Sequence, residues 1–161
     1  MEGYSMKILI IFDSMYGCTE KVAYAIKDGF SDLHQVNIMQ ISHVGYGDLA
    51  NLDLFVVGSP THGGRETEDV KTFLDGLSDH ALRGIRAAAF DTSMAEEDQG
   101  FFVGKIVKWF GHASTRIEQL LLDKGAEPVL KESFIVLDKE GPLKDGELER
   151  ATEWARHLMD K

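Results

Sequence analysis

The chain reads Ile8-Leu9-Ile10-Ile11-Phe12-Asp13-Ser14-Met15-Tyr16-Gly17-Cys18-Thr19-Glu20-Lys21-Val22-Ala23 near its N-terminus. Ile8 to Phe12 form a continuous apolar run, which is typical of a parallel strand covered on both faces. Hydroxyl-bearing residues and a glycine follow. Val22, Ile26 and Phe30 then recur every four residues and indicate an amphipathic helix that ends near Gly29. A strand, a turn and a helix in this order predict the first unit of an α/β fold.

The same alternation of apolar runs and amphipathic stretches continues to the end of the chain, without a linker, repeat or low-complexity tract. Further strands are predicted at 36–41, 52–57, 85–90 and 134–137, and further helices around 70–77, around 117–121 and over 148–158. Five strands joined by right-handed crossovers form a three-layer parallel sheet. Ligands of such sheets bind at the carboxyl ends of the strands. The loops after Phe12, Gly58 and Phe90 are therefore the candidate functional loops.

Composition narrows the class of protein and its partners. The 161 residues are 43% hydrophobic, which predicts one domain with one well-buried core. Twenty-seven acidic and seventeen basic residues give a formal charge of −10. Such a charge repels nucleic acid and anionic membranes and favours basic protein partners.

The compartment is predicted from the cysteine content and the N-terminal residues. Cys18 is the only cysteine, which excludes an internal disulfide and a cysteine-rich metal site and fits a reducing compartment. The apolar run from Ile8 to Phe12 is too short to span a bilayer, and residues 1–7 lack the order of a signal peptide. We expect a cytoplasmic protein.

The first loop has the chemistry of a phosphate site. A helix N-terminus offers unpaired N–H groups and the positive end of the helix dipole. Ser14 and Thr19 add hydroxyl donors, and Gly17 allows a close approach of the backbone. Because no Lys or Arg lies between Ser14 and Thr19, the loop would neutralise a phosphate by hydrogen bonds alone. The simpler interpretation is that Ser14 and Thr19 only cap the helix.

This segment, together with Gly58-Ser59-Pro60-Thr61-His62-Gly63-Gly64, resembles the signature of the flavodoxin family. The resemblance covers residues 6–161, is closest to the short-chain flavodoxins and leaves residues 1–5 as an N-terminal extension. It implies a flavodoxin-like fold with a five-stranded parallel sheet in the order 2-1-3-4-5. It also implies non-covalent FMN as the cofactor, redox proteins as partners and a monomer or homodimer.

The resemblance assigns FMN contacts to three loops and assigns no catalytic residue and no metal ligand. The contacts are Ser14, Met15, Tyr16, Gly17, Cys18 and Thr19 in the first loop, Ser59, Pro60, Thr61, His62, Gly63 and Gly64 in the second, and Asp91, Thr92, Ser93 and Met94 in the third. Tyr16 departs from the family, which usually has Thr there. His62 stands where Trp or Tyr often stacks on the flavin, although it could also be an ordinary polar loop residue. The third loop lacks the family's Tyr, and Cys18 is interpreted as a neighbour of the phosphate.

Two further features of the sequence bear on redox behaviour. In flavodoxins the peptide near the flavin N5 reverses on one-electron reduction, and the pair Gly63-Gly64 can form either a type II or a type II′ turn. Acidic residues also surround the second and third loops, namely Glu66, Glu68, Asp69, Glu96, Glu97 and Asp98. They predict a low potential for the second electron and salt-dependent docking of a basic partner.

The sequence is compatible with several functions. An electron carrier is the first hypothesis. The second is an FMN-dependent enzyme on the same fold, either an NAD(P)H/quinone reductase or a protoporphyrinogen-oxidising flavoenzyme, and the third is a flavin-free interaction domain. A phosphoacceptor receiver domain is disfavoured, because Gly58-Ser59-Pro60 stands where its Asp is required. The apolar stretch 101–110 could cover the flavin, contact a second copy or enter the core, and Arg65 is interpreted as a solvated charge.

Overall fold

The computed structural model of the chain describes residues 5–95 and 112–160. The strands are β1 (Lys7–Phe12), β2 (Gln35–Gln40), β3 (Leu54–Pro60), β4 (Arg86–Met94) and β5 (Val129–Val136). The helices in these residues are α1 (Cys18–Gly29), α2 (Glu68–Asp75), α3 (Ala113–Asp123) and α4 (Glu147–Met159). Two short 3₁₀ turns, Ile41–His43 and Tyr46–Leu49, follow β2. All strand pairs are parallel and the order is β2-β1-β3-β4-β5, which confirms the predicted fold class and strand order.

The sheet is covered on both faces, and β1 shows why its sequence is continuously apolar. Ile8 and Ile10 belong to the core between the sheet and the helices α1 and α4, whereas Leu9 and Ile11 belong to the core beneath α2 and α3. All four are essentially inaccessible to solvent. β2 alternates between exposed and half-buried residues and lies at the sheet edge, as predicted.

An aromatic cluster fixes α4 on its face of the sheet. The rings of Phe90, Phe134 and Trp154 meet edge to face, with centroids 6.0 to 6.4 Å apart. Such pairs stabilise the core beyond the area they bury. None of the helices within the described ranges is long and apolar enough to cross a membrane.

The last two strands are longer than the sequence predicted. The segment Asp91–Met94 was expected to be a loop but is the end of β4, paired with Ser133–Val136 of β5. β5 itself begins at Val129, before the expected Phe134. Polar residues interrupt both apolar runs, and their side chains find hydrogen bonds inside the sheet, as the Asp91 carboxylate does with the Ser133 hydroxyl at 2.6 Å. The expectation of a loop was wrong because tertiary contacts outweighed local polarity.

Candidate functional site

A cavity lies at the carboxyl ends of β1, β3, β4 and β5. Two backbone hydrogen bonds extend the pairing of the strands into the loops that form the cavity walls. The Asp13 N–H donates to the Gly58 carbonyl at 3.1 Å, and the Thr61 N–H donates to the Thr92 carbonyl at 2.9 Å. The lining residues are Ser14, Met15, Tyr16, Cys18, Thr19, Pro60, Thr61, His62, Thr92, Ser93, Met94, Val136 and Lys139. The structure therefore brings residues from all three predicted segments to one place.

Several residues assigned to the site from the sequence do not line the cavity: Gly17, Ser59, Gly63, Gly64 and Asp91. Asp91 is fully buried beneath it. Its carboxylate accepts hydrogen bonds from the Ser93 hydroxyl at 3.3 Å, the Ser133 hydroxyl at 2.6 Å and the Ser114 N–H at 2.9 Å. Asp91 therefore supports the cavity wall and joins β4, β5 and α3 to one another.

Val136 and Lys139 line the cavity but were not predicted from the sequence. Both belong to the end of β5 and the chain that follows it. The rule that ligands bind at the carboxyl ends of parallel strands applies to β5 as well as to the other strands. That rule was the available signal, but the candidate loops included only those after the first, third and fourth strands.

The first loop presents unpaired backbone donors to the cavity. The Ser14 hydroxyl oxygen accepts the Gly17 N–H at 3.0 Å, which closes the loop just before α1. No group within the described residues accepts the backbone N–H of Met15, Tyr16, Cys18 or Thr19. These four donors lie before or in the first turn of α1, where the helix dipole is positive. The arrangement suits an anion.

Thr19 joins the first loop to β4. Its side chain is buried, and its hydroxyl lies 2.8 Å from the Thr92 hydroxyl. Both residues line the cavity. One of the two hydroxyls donates to the other, so the second proton remains available to an occupant of the cavity.

Asp13 and Thr67 hold the first and second loops together. One oxygen of the Asp13 carboxylate accepts the Ser14 N–H at 2.9 Å, and the other accepts the Thr67 hydroxyl at 2.6 Å. The Thr67 N–H in turn donates to the Ser59 hydroxyl oxygen at 3.0 Å. Ser59 therefore fixes the second loop from below instead of lining the cavity.

The second loop contains a tight two-residue turn. The His62 N–H donates to the Arg65 carbonyl at 2.8 Å, and the Arg65 N–H donates to the His62 carbonyl at 3.1 Å. Gly63 and Gly64 have φ angles of 59° and 80°. A type I′ turn requires positive φ at both central residues, and this turn has it. The structure therefore shows neither of the two forms, type II and type II′, that the Gly63-Gly64 pair was predicted to allow. His62 is exposed at the cavity rim.

Glu66 differs from the other acidic residues near the second loop because it is only 6% exposed. Its carboxylate accepts a hydrogen bond from the Arg116 guanidinium of α3 at 3.0 Å. Glu66 is thus a buried carboxylate paired with Arg116, and it adds little to the charge of the surface. Glu68 and Asp69 are exposed, whereas Glu96, Glu97, Asp98 and the apolar stretch 101–110 lie outside the described residues.

Comparison with known proteins identifies the family. The flavodoxin family model matches residues 10–154. A flavodoxin from Clostridium saccharobutylicum is 32% identical over 90 residues, which make up 55% of this chain and 56% of that relative, so the match spans only about half of the relative's length.

Solved structures agree with this result. Oxidised flavodoxin 2 from Bacillus cereus is 26% identical, with a TM-score of 0.70 over 96% of this chain and 98% of that one. A flavodoxin from the domain Archaea is 21% identical, with a TM-score of 0.71 over 96% and 97% of the two chains, and this likeness concerns the fold alone. Flavodoxins bind FMN as their cofactor. On the match of the family model to nearly the whole chain, this protein belongs to the flavodoxin family.

Proposed function

We propose that this protein binds FMN and carries electrons between redox partner proteins. The observation that carries the proposal is the set of unpaired donors around the first loop. Four backbone N–H groups without an acceptor in the described residues, together with the hydroxyls of Ser14 and Thr19, meet at one end of the cavity. A phosphate group accepts this number of hydrogen bonds at a helix N-terminus.

The donor set fits the terminal phosphate of FMN. The N–H groups of Met15, Tyr16, Cys18 and Thr19 would hold the phosphate oxygens, and Gly17 would keep the backbone accessible. Tyr16 would contribute its N–H group, so the Thr hydroxyl usual at this position in the family is not required. The bond from the Ser14 N–H to the Asp13 carboxylate keeps the loop in shape before the phosphate enters.

The other two walls fit the sugar chain and the ring. Thr61 lies between β4 and α3, because its hydroxyl accepts the Ala113 N–H at 3.1 Å and its N–H donates to the Thr92 carbonyl. It would contact the ribityl chain beside Pro60, and Ser59 would act only by fixing the second loop from below. His62 would cover one face of the ring, and the segment from Thr92 to Met94 would face its pyrimidine side. Gly63 and Gly64 would lie beside N5, and Asp91 would act only by supporting Ser93.

FMN supplies one- and two-electron chemistry when it is bound, and the protein determines how tightly it is held and which edge is exposed. The residues around the cavity are mainly hydroxyl-bearing or apolar. They are suited to binding and orienting a flavin. Electron transfer to a partner requires only that an edge of the ring remains close to the surface, at the exposed His62 and Met15.

An FMN-dependent reductase of small molecules is the second candidate. It is favoured by His62, which is smaller than the family's usual aromatic residue and exposed at the rim, so that a substrate could reach the ring. Purified protein loaded with FMN would be mixed with NADH or NADPH and a benzoquinone. A carrier predicts no sustained oxidation of the nicotinamide until a flavodoxin reductase is added. Sustained turnover without added protein would overturn the carrier proposal in favour of the reductase.

The partners are proposed to be redox proteins with basic docking surfaces. The proposal is supported by the formal charge of −10 and by the exposed Glu68 and Asp69 at the start of α2. The double change Glu68→Gln and Asp69→Asn should slow electron transfer from a basic reductase at low salt, with a smaller difference at high salt. Glu153→Gln, an exposed change on α4, is the matched control. Rates that do not depend on salt would overturn the docking proposal.

A cytoplasmic location is also part of the proposal. It rests on Cys18, the only cysteine in the sequence, which suits a reducing compartment. Fractionation of the native host, with detection by antibody, would test it. Recovery of the protein outside the cytoplasmic fraction would contradict the proposal.

A further inference from the structure

The chain doubles back immediately after β5. The Leu137 N–H donates to the Pro142 carbonyl and the Lys144 N–H to the Ile135 carbonyl, both at 2.9 Å. The Gly141 N–H donates to the Asp138 carbonyl, also at 2.9 Å. Residues 138–141, which we call the β5 turn, are therefore held by backbone hydrogen bonds at the carboxyl end of the sheet.

The β5 turn packs against the beginning of α1. A methyl group added at Gly141 would lie 2.8 Å from the Cys18 sulfur, a distance that real contacts of this kind do not reach. Gly141 also has a φ of 105°, which side chains rarely adopt. A side chain at residue 141 would therefore force either the Cys18 side chain or the turn to shift. This contact places the β5 turn beside the same helix N-terminus that supplies the unpaired N–H groups.

Lys139 lies in this turn and lines the cavity together with Ser14, Cys18 and Thr19. It is the only lysine or arginine among the cavity residues in the described part of the chain. Its backbone N–H donates to the Asp138 carboxylate at 2.7 Å. Its side-chain ammonium makes no ion pair or hydrogen bond with any described residue. Lys139 thus presents an uncommitted positive charge to the cavity.

We propose that the Lys139 ammonium pairs with the phosphate of FMN and adds to the selection of phosphorylated flavin over riboflavin by the donors of the first loop. This inference rests on the proposed function. A protein with a formal charge of −10 repels a phosphate dianion, and Asp138, Glu140 and Glu20 add negative charge near the first loop. A cation at the cavity offsets this repulsion and adds a charge-assisted contact. The sequence alone predicted neutralisation by hydrogen bonds, because Lys139 is 120 residues from Thr19 in the chain.

The test compares two variants that remove the same charge. Lys139→Gln removes the ammonium from the cavity. Lys21→Gln removes an ammonium group from α1. Lys21 lines a different surface pocket together with Tyr24 and Asp28. The dissociation constants of FMN and riboflavin would be measured by flavin fluorescence at several salt concentrations. Because Lys139 is exposed, we expect Lys139→Gln to weaken FMN binding roughly three- to tenfold at low salt and Lys21→Gln less than about twofold.

Two further results distinguish the inference from the proposed function. In Lys139→Gln the affinity for FMN should fall less steeply with salt than in the parent protein, and riboflavin binding should not change. If the parent binds FMN but Lys139→Gln shows the same affinity and salt dependence as Lys21→Gln, this inference is wrong and the proposed function stands. Failure of the parent protein to bind FMN would overturn both.

Discussion

Thr19 shows how a single hydroxyl contributes to the proposed site. It is 2% exposed, and its hydroxyl lies 2.8 Å from that of Thr92. Thr19→Val nearly keeps the shape of the side chain but removes the hydroxyl. We expect FMN binding to weaken by about 1.5–3 kcal/mol, the value of a hydrogen bond to a charged group.

Two controls accompany Thr19→Val. Thr19→Ser, which keeps a hydroxyl, should recover most of the affinity, and the exposed Thr115→Val on α3 should have no effect. Affinity would be measured by quenching of FMN fluorescence. Equal affinity of Thr19→Val and the parent would remove Thr19 from the phosphate site.

Gly63 is the second residue at which one substitution is informative. In the type I′ turn observed here, reversal of the central peptide gives a type II′ turn, and the first central residue keeps a positive φ in both forms. Gly63→Ala should therefore destabilise the observed form by about 1 kcal/mol and the type II′ form by more, because the first central residue of a type II′ turn is almost always glycine. It should lower the melting temperature and also the potential of the first electron. Since no atom lies within 4 Å of the position that a methyl group at Gly63 would occupy, the cost is conformational.

Gly63→Asn provides the control, because Asn tolerates positive φ and should recover most of the stability. Thermal unfolding and spectroelectrochemical titration would measure the two quantities. An additional 1 kcal/mol on the type II′ form would lower the first-electron potential by roughly 40 mV in Gly63→Ala, and a potential equal to that of the parent would contradict reversal of this peptide.

Among the elements, α4 is tied to β5 by an ion pair between the buried Glu147 and the half-exposed Arg150. The Glu147 carboxylate accepts the Ile135 N–H at 2.6 Å and two hydrogen bonds from Arg150 at 2.8 and 2.7 Å. Arg150 also donates to the Ser133 carbonyl and lies 4.6 Å from the centre of the Phe134 ring. Burial raises the pKa of Glu147, but the hydrogen bonds from Arg150 and Ile135 outweigh it, and the pKa lies below its ordinary value of 4.5.

This pair predicts a pH-dependent loss of stability in Glu147→Gln. A lowered pKa in the folded state stabilises the protein above the ordinary pKa, and this contribution disappears as the pH falls through the folded-state pKa. We expect Glu147→Gln to lower the free energy of unfolding by about 1–2 kcal/mol at pH 7, with the difference shrinking below about pH 4.5. Urea unfolding at several pH values would measure it. The exposed Glu153→Gln should change little, and a deficit that stays constant down to pH 3 would contradict the account.

The bounds of helices and strands were predicted best from the sequence where apolar residues are continuous or regularly spaced. β1, α1 and α4 were expected with nearly the observed bounds, because Ile8 to Phe12 is apolar throughout and the helical residues recur at a regular spacing. The ends of β4 and β5 were missed because Asp91 and Ser133 are polar yet buried or half-buried. Their hydrogen bond joins neighbouring strands, and local sequence carries no sign of such a partner.

At the scale of the whole molecule, the sheet order gathers residues that are distant in sequence. The first loop was predictable because its hydroxyls and glycine lie within six residues, and the structure brings most of them to the cavity. The pairing of Glu66 with Arg116 was not predictable, because it joins residues 50 positions apart. Lys139 was missed because the rule for the carboxyl ends of strands was not applied to the fifth strand. Asp91 was expected to contact the cofactor, but the assembled sheet buries it beneath the cavity, where it supports the wall.

One end of the cavity is proposed to hold the phosphate of a flavin, and the relative affinities of three flavins test this most directly. Protein stripped of flavin would be titrated with FMN, riboflavin and FAD, and quenching of flavin fluorescence would give the three dissociation constants. We expect FMN to bind more than about tenfold more tightly than riboflavin, because riboflavin cannot use the donors of the first loop. We expect weaker binding of FAD, whose phosphate continues into a second nucleotide. Equal affinity for FMN and riboflavin would contradict the assignment of the first loop.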